Sequence, residues 1–387
     1  MTDAERANSE VNARLREVLA VHFDPDAGTP HWLDRARELG FDPREEIRTI
    51  ADLPRLGRTE PVALAERPLP DYLPRGLHER RAALIVGQTG GTLGRPVWTA
   101  YLEDEFAAAF VTPFVVAARH VGFPQGGCWL YAGPSGPHLI GRAAERIARA
   151  TGAAAPFSVD FDPRWAKALL DGSFAARRYL EHVVTQALDV ISSQPIDVLF
   201  TTPRVLERLA DEMTPAQRER IRGVHYGGMA LAPDVLERFQ RDAFPNAVHL
   251  SGYGNTLFGC CLELSADRGR VLRYYPHGRR LVFGTVAIEE RGTAIGRQDA
   301  GATLAHKRTG RKPSEGAAEI SYDHPAGVGR LVFSRLDRTM LLVNVVERDQ
   351  GRLVAPPGDA PDGYSHCGVE ALAPITSPHS GPSIGLY

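Results

Sequence analysis

The spacing of apolar positions changes character twice along the chain. In residues 1–80 they recur at helical intervals: Leu15, Val18, Leu19 and His22, then Trp32, Ala36 and Leu39. Gly40 stands where the second helix should stop, and Asp42 followed by Pro43 reads as the N-cap and first turn of a third. Residues 68–74 form a proline-bearing connector. Between 81 and 262, short apolar runs alternate with helical patterns. Runs at 82–86, 128–131, 197–200, 223–226 and 247–250 predict buried strands. Residues 102–118, 140–151, 203–211 and 233–244 predict helices. Strands alternating with helices imply a mainly parallel sheet flanked by helices.

Beyond residue 262 the helical period disappears. Residues 280–288, 329–334 and 340–346 read as strands without intervening helices, which predicts a smaller β subdomain over 263–354, an antiparallel sheet or small barrel. Residues 291–315 are rich in Gly, Arg, Ala and Thr and read as a mobile loop. Residues 355–387, rich in Pro, Gly and Ser, read as a tail wrapped on the surface. The expected organisation is a helical segment at 1–80, an α/β core at 81–262, the β subdomain and the tail. No internal repeat interrupts it.

Composition narrows the classes. A chain of 387 residues with 43% apolar and 24% charged residues is ordinary for a globular protein and excludes a disordered or collagen-like one. Forty-five basic against 47 acidic side chains give a net charge of −2, so neither a nucleic acid nor a membrane surface is an expected partner. Four cysteines without a CxxC pair make neither a disulfide framework nor a zinc site, and no metal ligand set is assigned. Residues 1–21 are charged throughout and no apolar run of membrane-spanning length occurs, so a cytoplasmic location is expected. The positive charge is almost all arginine. Lys167, Lys307 and Lys312 are the only lysines, so any chemistry that needs one has three candidates.

The most informative segment is Gly87-Gln88-Thr89-Gly90-Gly91-Thr92-Leu93-Gly94-Arg95-Pro96. Its glycines free consecutive backbone N–H groups for anionic oxygen, and Thr89 and Thr92 add hydroxyls. It matches neither the P-loop, which needs Gly-Lys-Ser/Thr, nor the GxGxxG spacing of dinucleotide folds. Ser251-Gly252-Tyr253-Gly254-Asn255-Thr256 follows a predicted strand, where open α/β sheets bind ligands, and an aromatic ring between glycines suits a flat ligand. Tyr226-Gly227-Gly228 leads through Leu231 to Pro233, another strand–glycine–helix junction.

In this order the segments resemble the adenylate-forming superfamily of acyl-CoA synthetases, luciferases and peptide-synthetase adenylation domains, and in layout phenylacetate-CoA ligase. Thr89–Pro96 is similar to the family's phosphate loop, Gly227–Pro233 to its Gly-Gly-x-x-Leu-x-Pro segment, and Tyr253–Leu257 to its Tyr-Gly-x-Thr-Glu motif. Gly329-Arg330-Leu331-Val332 leads to Asp349 as the family's Gly-Glu-Leu-Val strand leads to its Arg-Tyr-Arg-Thr-Gly-Asp motif. The resemblance covers about residues 40–355. It implies the large N-terminal domain of that fold and an ATP-dependent ligase that forms an acyl-adenylate from a small carboxylic acid. The acyl group then passes to a thiol or amine: CoA, a carrier protein or a small amine. It implies that Thr89, Gly91, Thr92 and Gly94 hold the ATP phosphates with Arg95, that Gly227 and Gly228 border adenine, and that Tyr253 stacks on it. Thr256 would bind the α-phosphate, Asp349 the ribose hydroxyls, and His138 would line the acyl pocket or act as a base.

The sequence departs from the pattern in three ways. Leu257 stands where the family has a glutamate that binds Mg2+, and leucine offers no oxygen ligand; Glu263 is a neighbouring carboxylate. Gly90, Leu93 and Arg95 replace Ser, Thr and Lys in the phosphate loop. The family's lid, a C-terminal domain of about 100 residues that carries a catalytic lysine, has no counterpart after Asp349, and neither Lys307 nor Lys312 is well placed to substitute. Two readings follow: a lidless ligase, with Arg95 or a partner protein supplying charge, or a repurposed nucleotide- or acyl-binding protein that no longer adenylates. Cys260 and Cys261 are candidate acyl acceptors or buried small residues. Trp98, Tyr131 and Phe157 are candidates for an aromatic-acid pocket or for ordinary core.

Overall fold

The computed structural model describes residues 3–91, 95–170, 172–228, 231–267, 270–288, 320–322 and 327–375. The expected loop at 291–315 lies outside them. Among the described residues thirteen strands make up three sheets. β1 (Ile85–Gln88) and β2 (Trp98–Tyr101) form a hairpin. The central sheet contains β3 (Trp129–Gly133), β4 (Phe157–Asp160), β5 (Val198–Thr201), β6 (Gly223–Gly227), β7 (Val248–Asn255) and β8 (Gly259–Leu262). Its order is β4-β3-β5-β6-β7-β8, parallel except for the last strand. The third sheet contains β9 (Arg273–Tyr274), β10 (Leu281–Val286), β11 (Gly329–Leu336), β12 (Leu341–Val354) and β13 (Gly368–Pro374). It is antiparallel in the order β10-β11-β12-β13-β9. The fold is therefore the α/β class read from the alternation, with an antiparallel sheet beside it.

Helices cover both faces of the central sheet because each carries one apolar stripe. Leu139–Ala150 turns Leu139, Ala143, Ala144, Ile147 and Ala148 inward on one face. Phe174–Ser193 and Pro203–Glu212 cover the other with Leu180, Val183, Val184, Ala187, Ile191, Val205, Leu206 and Leu209. The segments Glu103–Phe106, Ala107–Val111 and Thr112–His120 run end to end as the predicted helix, widened at Ala107–Val111 into a π turn. Chain order reverses direction around β3: β4 lies on one side of it and β5 on the other. The carboxyl ends of β3 and β5 therefore flank a topological switch point, where such sheets leave a crevice.

The N-terminal helix Asp3–His22 buries Leu15, Val18, Leu19 and His22 as their spacing predicts. Gly40 takes φ 74° at the end of Pro30–Leu39, and the Asp42 carboxylate accepts the Arg44 N–H. These helices pack on the antiparallel sheet rather than on one another alone: Val11, Leu15 and Trp32 share a core with Val332, Leu341 and Val343.

Four expectations need correction. The segment 82–86 is strand only from Ile85, because Arg75–Ala83 coils into 3-10 turns with Ala82 and Ala83 exposed. β7 does not stop at Leu250 but continues through Tyr253 to Asn255, since β8 folds back and pairs with it. β12 runs past Val346 to Val354. The tail does not merely wrap the surface: β13 inserts between β12 and β9, and the Tyr364 hydroxyl donates to the Pro113 carbonyl at 2.6 Å. Composition misled here because a strand buried on paired edges needs few large apolar residues.

Where the two larger sheets meet, a buried charge cluster joins them. The Asp337 carboxylate accepts from Arg280 Nη2 at 2.6 Å and from Arg335 Nε at 2.5 Å. Arg335 also donates to Thr99 Oγ1, the Ala100 carbonyl and the Leu257 carbonyl, and its guanidinium lies 3.6 Å from the Tyr101 ring centroid. Arg280 reaches the Phe258 carbonyl. One carboxylate thus holds two arginines that together fix β2 and the β7–β8 turn. Removing it strands two buried cations. Asp337→Ala is expected to lower unfolding stability by about 3–5 kcal/mol, measured by urea denaturation; a loss near zero would show that the cluster is not coupled to folding.

Candidate active site

The crevice at the switch point is a cleft of about 620 Å³ counting its open mouth. Its walls come from the carboxyl ends of four parallel strands: Tyr131 to Pro134 after β3, Phe200 to Thr202 after β5, His225 with Gly227 and Gly228 after β6, and Gly252 to Thr256 along β7. Phe110 of the π turn, Ile140 and Cys260 close it with apolar surface. Glycine is required at its mouth. A Cβ on Gly227 would stand 2.7 Å from the Gly252 carbonyl oxygen, and Gly228 takes φ 86°. The structure therefore brings Gly227, Gly228, Tyr253 and Thr256 to one cleft.

Asp349 joins them from the other sheet. The Tyr253 hydroxyl donates to Asp349 Oδ2 at 3.3 Å, and Asn255 Nδ2 donates to Glu347 Oε1 at 2.6 Å. Two rungs thus tie β7 to β12. Burial, then the Asp349 charge, pushes the Glu347 carboxyl up to about 7. Burial likewise raises Asp349, with Arg348 opposing it. The Tyr253 ring packs among Phe258, Tyr274 and Phe283, at centroid distances of 5.8–6.4 Å. The turn after it is held from below: the Tyr101 hydroxyl donates to the Thr256 carbonyl at 2.8 Å, next to the Leu257 carbonyl that Arg335 holds. Leu257 itself is buried in the core.

The glycine-rich segment is the loop of the β1–β2 hairpin. Thr89 closes it, its N–H donating to the Val97 carbonyl and its Oγ1 accepting the Val97 N–H, both at 2.9 Å. That hydroxyl is a loop clasp. The base of the loop is docked where Gln88 N–H donates to the Pro137 carbonyl at 2.8 Å. Gly91 has φ 68°. Thr92, Leu93 and Gly94 lie outside the described residues, so their expected phosphate roles are not located. Arg95 lies in a separate hollow with Arg67, Leu69, Tyr72 and Trp98, not among the residues lining the cleft.

Other expected residues fall elsewhere. His138 is buried at the start of the helix Leu139–Ala150 beside the cleft, does not line it, and leaves its Nε2 without a partner among the described residues. Burial, then the Arg164 charge, lowers its pKa. Glu263 is no replacement for the absent glutamate: it is buried, paired with Arg270 at 2.7 Å and bonded to the Ser251 N–H. Burial pushes the Cys260 thiol up to about 12, and it donates to the Ala109 and Phe110 carbonyls. It is a protonated wall residue rather than a thiolate. Tyr131 lines the cleft, whereas Trp98 and Phe157 are largely exposed. Among the described residues no three His, Cys, Asp or Glu side chains form a metal group, and no helix is long and apolar enough to cross a membrane.

Two residues that line the cleft, His225 and Thr202, and two outside it, Glu347 and Lys167, escaped the sequence reading. His225 accepts no charge: burial lowers its pKa to about 4. Its Nδ1 bonds the Leu250 carbonyl at 2.8 Å, which makes Nδ1 the protonated nitrogen and leaves Nε2 an acceptor. Thr202 Oγ1 is buried with no partner among the described residues. Glu347 sits two residues before Asp349 on a strand whose alternation places both on one face. Lys167 belongs to a short helix, Pro163–Ala168, that the sequence pattern left unassigned although Asp162-Pro163 is an N-terminal signal.

No protein-family model matches the chain, and none of the curated proteins matches it in sequence. Solved structures do match. A 2-hydroxyisobutyryl-CoA ligase in complex with 2-HIB-AMP and CoA, in its thioesterification state, superposes with a TM-score of 0.62 at 15% identity, over 97% of this chain and 70% of that one. An open conformation of the ligase, also with 2-HIB-AMP and CoA, gives 0.60 at 16% identity, over 96% and 69%. The postadenylation state with 2-HIB-AMP gives 0.60 at 15%, over 96% and 67%. The layered core, the switch-point cleft and these superpositions together show that the chain is built on the fold of the adenylate-forming ligases.

Proposed function

We propose that the chain activates a compact carboxylic acid with ATP. A carboxylate oxygen of the acid attacks the α-phosphorus, the bond to the β-phosphate oxygen breaks, and pyrophosphate leaves with that electron pair. The acyl-adenylate then passes its acyl group to a thiol or amine acceptor, releasing AMP. The observation that carries this reading is the convergence of Gly227–Gly228 and Tyr253–Thr256 at one cleft on the carboxyl edge of the sheet, with Asp349 bonded to the Tyr253 hydroxyl behind it. Tyr253 would border adenine and Asp349 would accept from the ribose hydroxyls, a role suited to a carboxylate. Thr256, held by Tyr101, would face the α-phosphate.

The acid would occupy the floor between Phe110, Tyr131, Ile140 and Phe200. One polar atom there, Thr202 Oγ1, is buried with no partner among the described residues. A buried hydroxyl left alone is costly, so a substrate hydroxyl or amine group is favoured at that point. Magnesium would enter as the partner of the ATP phosphates, keeping phosphate and water oxygens as ligands. Leu257 cannot contribute. Glu347, linked to the same motif through Asn255, is the carboxylate that could serve, and it would have to release its proton to do so.

ATP–pyrophosphate exchange is the direct test. Exchange should appear with at least one compact acid bearing a donor group, and Asp349→Ala should raise the KM for ATP about tenfold. Nucleotide binding without exchange across a broad panel of acids would instead indicate the repurposed binding protein. For Glu347 the expectation concerns stability. Between its ordinary 4.5 and about 7 the folded chain holds a proton that the unfolded chain releases, so stability is lost as pH rises through that window. Glu347→Gln should therefore gain on the wild type between pH 5 and 8, by on the order of 1–3 kcal/mol. Parallel unfolding curves for the two proteins at both pH values would refute this.

A further inference from the structure

His225 reaches the cleft from β6, and its ring is held in one orientation. Phe200 packs edge to face against it at a centroid distance of 4.4 Å, and Phe114 does so at 4.9 Å. Nδ1 bonds the Leu250 carbonyl of β7 at 2.8 Å. A carbonyl only accepts, so Nδ1 carries the proton and Nε2 the lone pair. Burial lowers the pKa to about 4, so the ring is neutral at neutral pH and Nε2 stays an acceptor. Gly252, which also lines the cleft, leaves the space at this edge of the ring open. A Cβ built on it would stand 3.0 Å from His225 Cε1 and 3.6 Å from Nε2.

The donors around that space are turned to the backbone. Thr201 Oγ1 donates to the Ala132 carbonyl and the Tyr131 hydroxyl to the Pro134 carbonyl, both at 2.7 Å. The Cys260 thiol donates to Ala109 and Phe110. Asn255 spends its amide on Glu347 and on the Leu257 and Phe258 N–H groups. Among the described residues no Asp, Glu, Lys or Arg lines the cleft. A second carboxylate or an ammonium on the acid would therefore lose its water without gaining a counter-charge, whereas a neutral donor would gain a partner in Nε2.

We propose that His225 selects the acid: its Nε2 accepts from a hydroxyl on an otherwise apolar monocarboxylic acid, so that this chain activates hydroxy acids and rejects diacids and amino acids. The inference rests on the ATP-dependent reading above and narrows the donor named there to a neutral hydroxyl. His225 takes no part in the chemistry; it decides which acid is held while the carboxylate attacks.

The test is ATP–pyrophosphate exchange on the full chain with matched acids. The probes are 2- and 3-hydroxybutyrate and 3- and 4-hydroxybenzoate, each against the acid with methyl in place of hydroxyl. Succinate and 3-aminobutyrate supply a second charge. In the wild type the hydroxy member of the best pair should exceed its methyl partner in kcat/KM by about ten- to a hundredfold. His225→Phe keeps a ring beside Phe200 and Phe114. It should bring that ratio to about one, mainly by raising KM for the hydroxy acid, and leave the methyl acid within about threefold of wild type. His225→Gln, which retains an acceptor, should keep part of the preference. Equal losses on both members in His225→Phe would mark a structural role and overturn the assignment. A wild type that uses the methyl acids equally well, or prefers succinate or 3-aminobutyrate, would overturn it without any variant, while the ligase reading stands. If no acid supports exchange, both readings fail.

Discussion

The architecture depends on one carboxylate that neutralises two buried arginines. Asp337 makes it possible for Arg280 and Arg335 to sit out of water, and those arginines then spend their remaining N–H groups on backbone carbonyls. Those carbonyls belong to β2 and to the turn between β7 and β8. An apolar cluster could fill the same space, but it would not orient carbonyls. The ion cluster therefore specifies geometry where two sheets with unrelated strand directions meet.

This geometry explains the most conspicuous departure of the motif at Tyr253. With the Thr256, Leu257 and Phe258 carbonyls all taken from beneath, the turn cannot roll to present residue 257 to the cleft. Its side chain goes to the core, and leucine is the residue that benefits. Two carboxylates of β12 instead meet β7 across the sheet boundary, Glu347 at Asn255 and Asp349 at Tyr253.

Much of this was legible in the sequence, and the failures share a cause. The alternation of apolar runs marked the parallel sheet, and the glycines flanking Tyr253 marked the segment that lines the cleft. The helix Phe174–Ser193 was legible too, in Leu180, Val183, Val184, Ala187 and Ile191, yet it was left unassigned. Position across the sheet boundary was not legible. Nothing local to Glu347 or His225 announces its surroundings, since each is bonded to an element distant in sequence. His138 and Arg95 failed in the opposite sense: suitable chemistry beside the right motifs, but side chains that the packing sends elsewhere.

The place of β13 in its sheet has a consequence for biosynthesis. Among the described residues it is the latest strand in chain order, yet it lies between β12 and β9 rather than at an edge. A nascent chain in which residues 368–374 have not emerged therefore holds β12 with one unpaired side and leaves β9 with no neighbour in that sheet. The antiparallel layer cannot close progressively behind the ribosome. It must wait, with open hydrogen-bonding edges, for a segment made almost a hundred residues after β9.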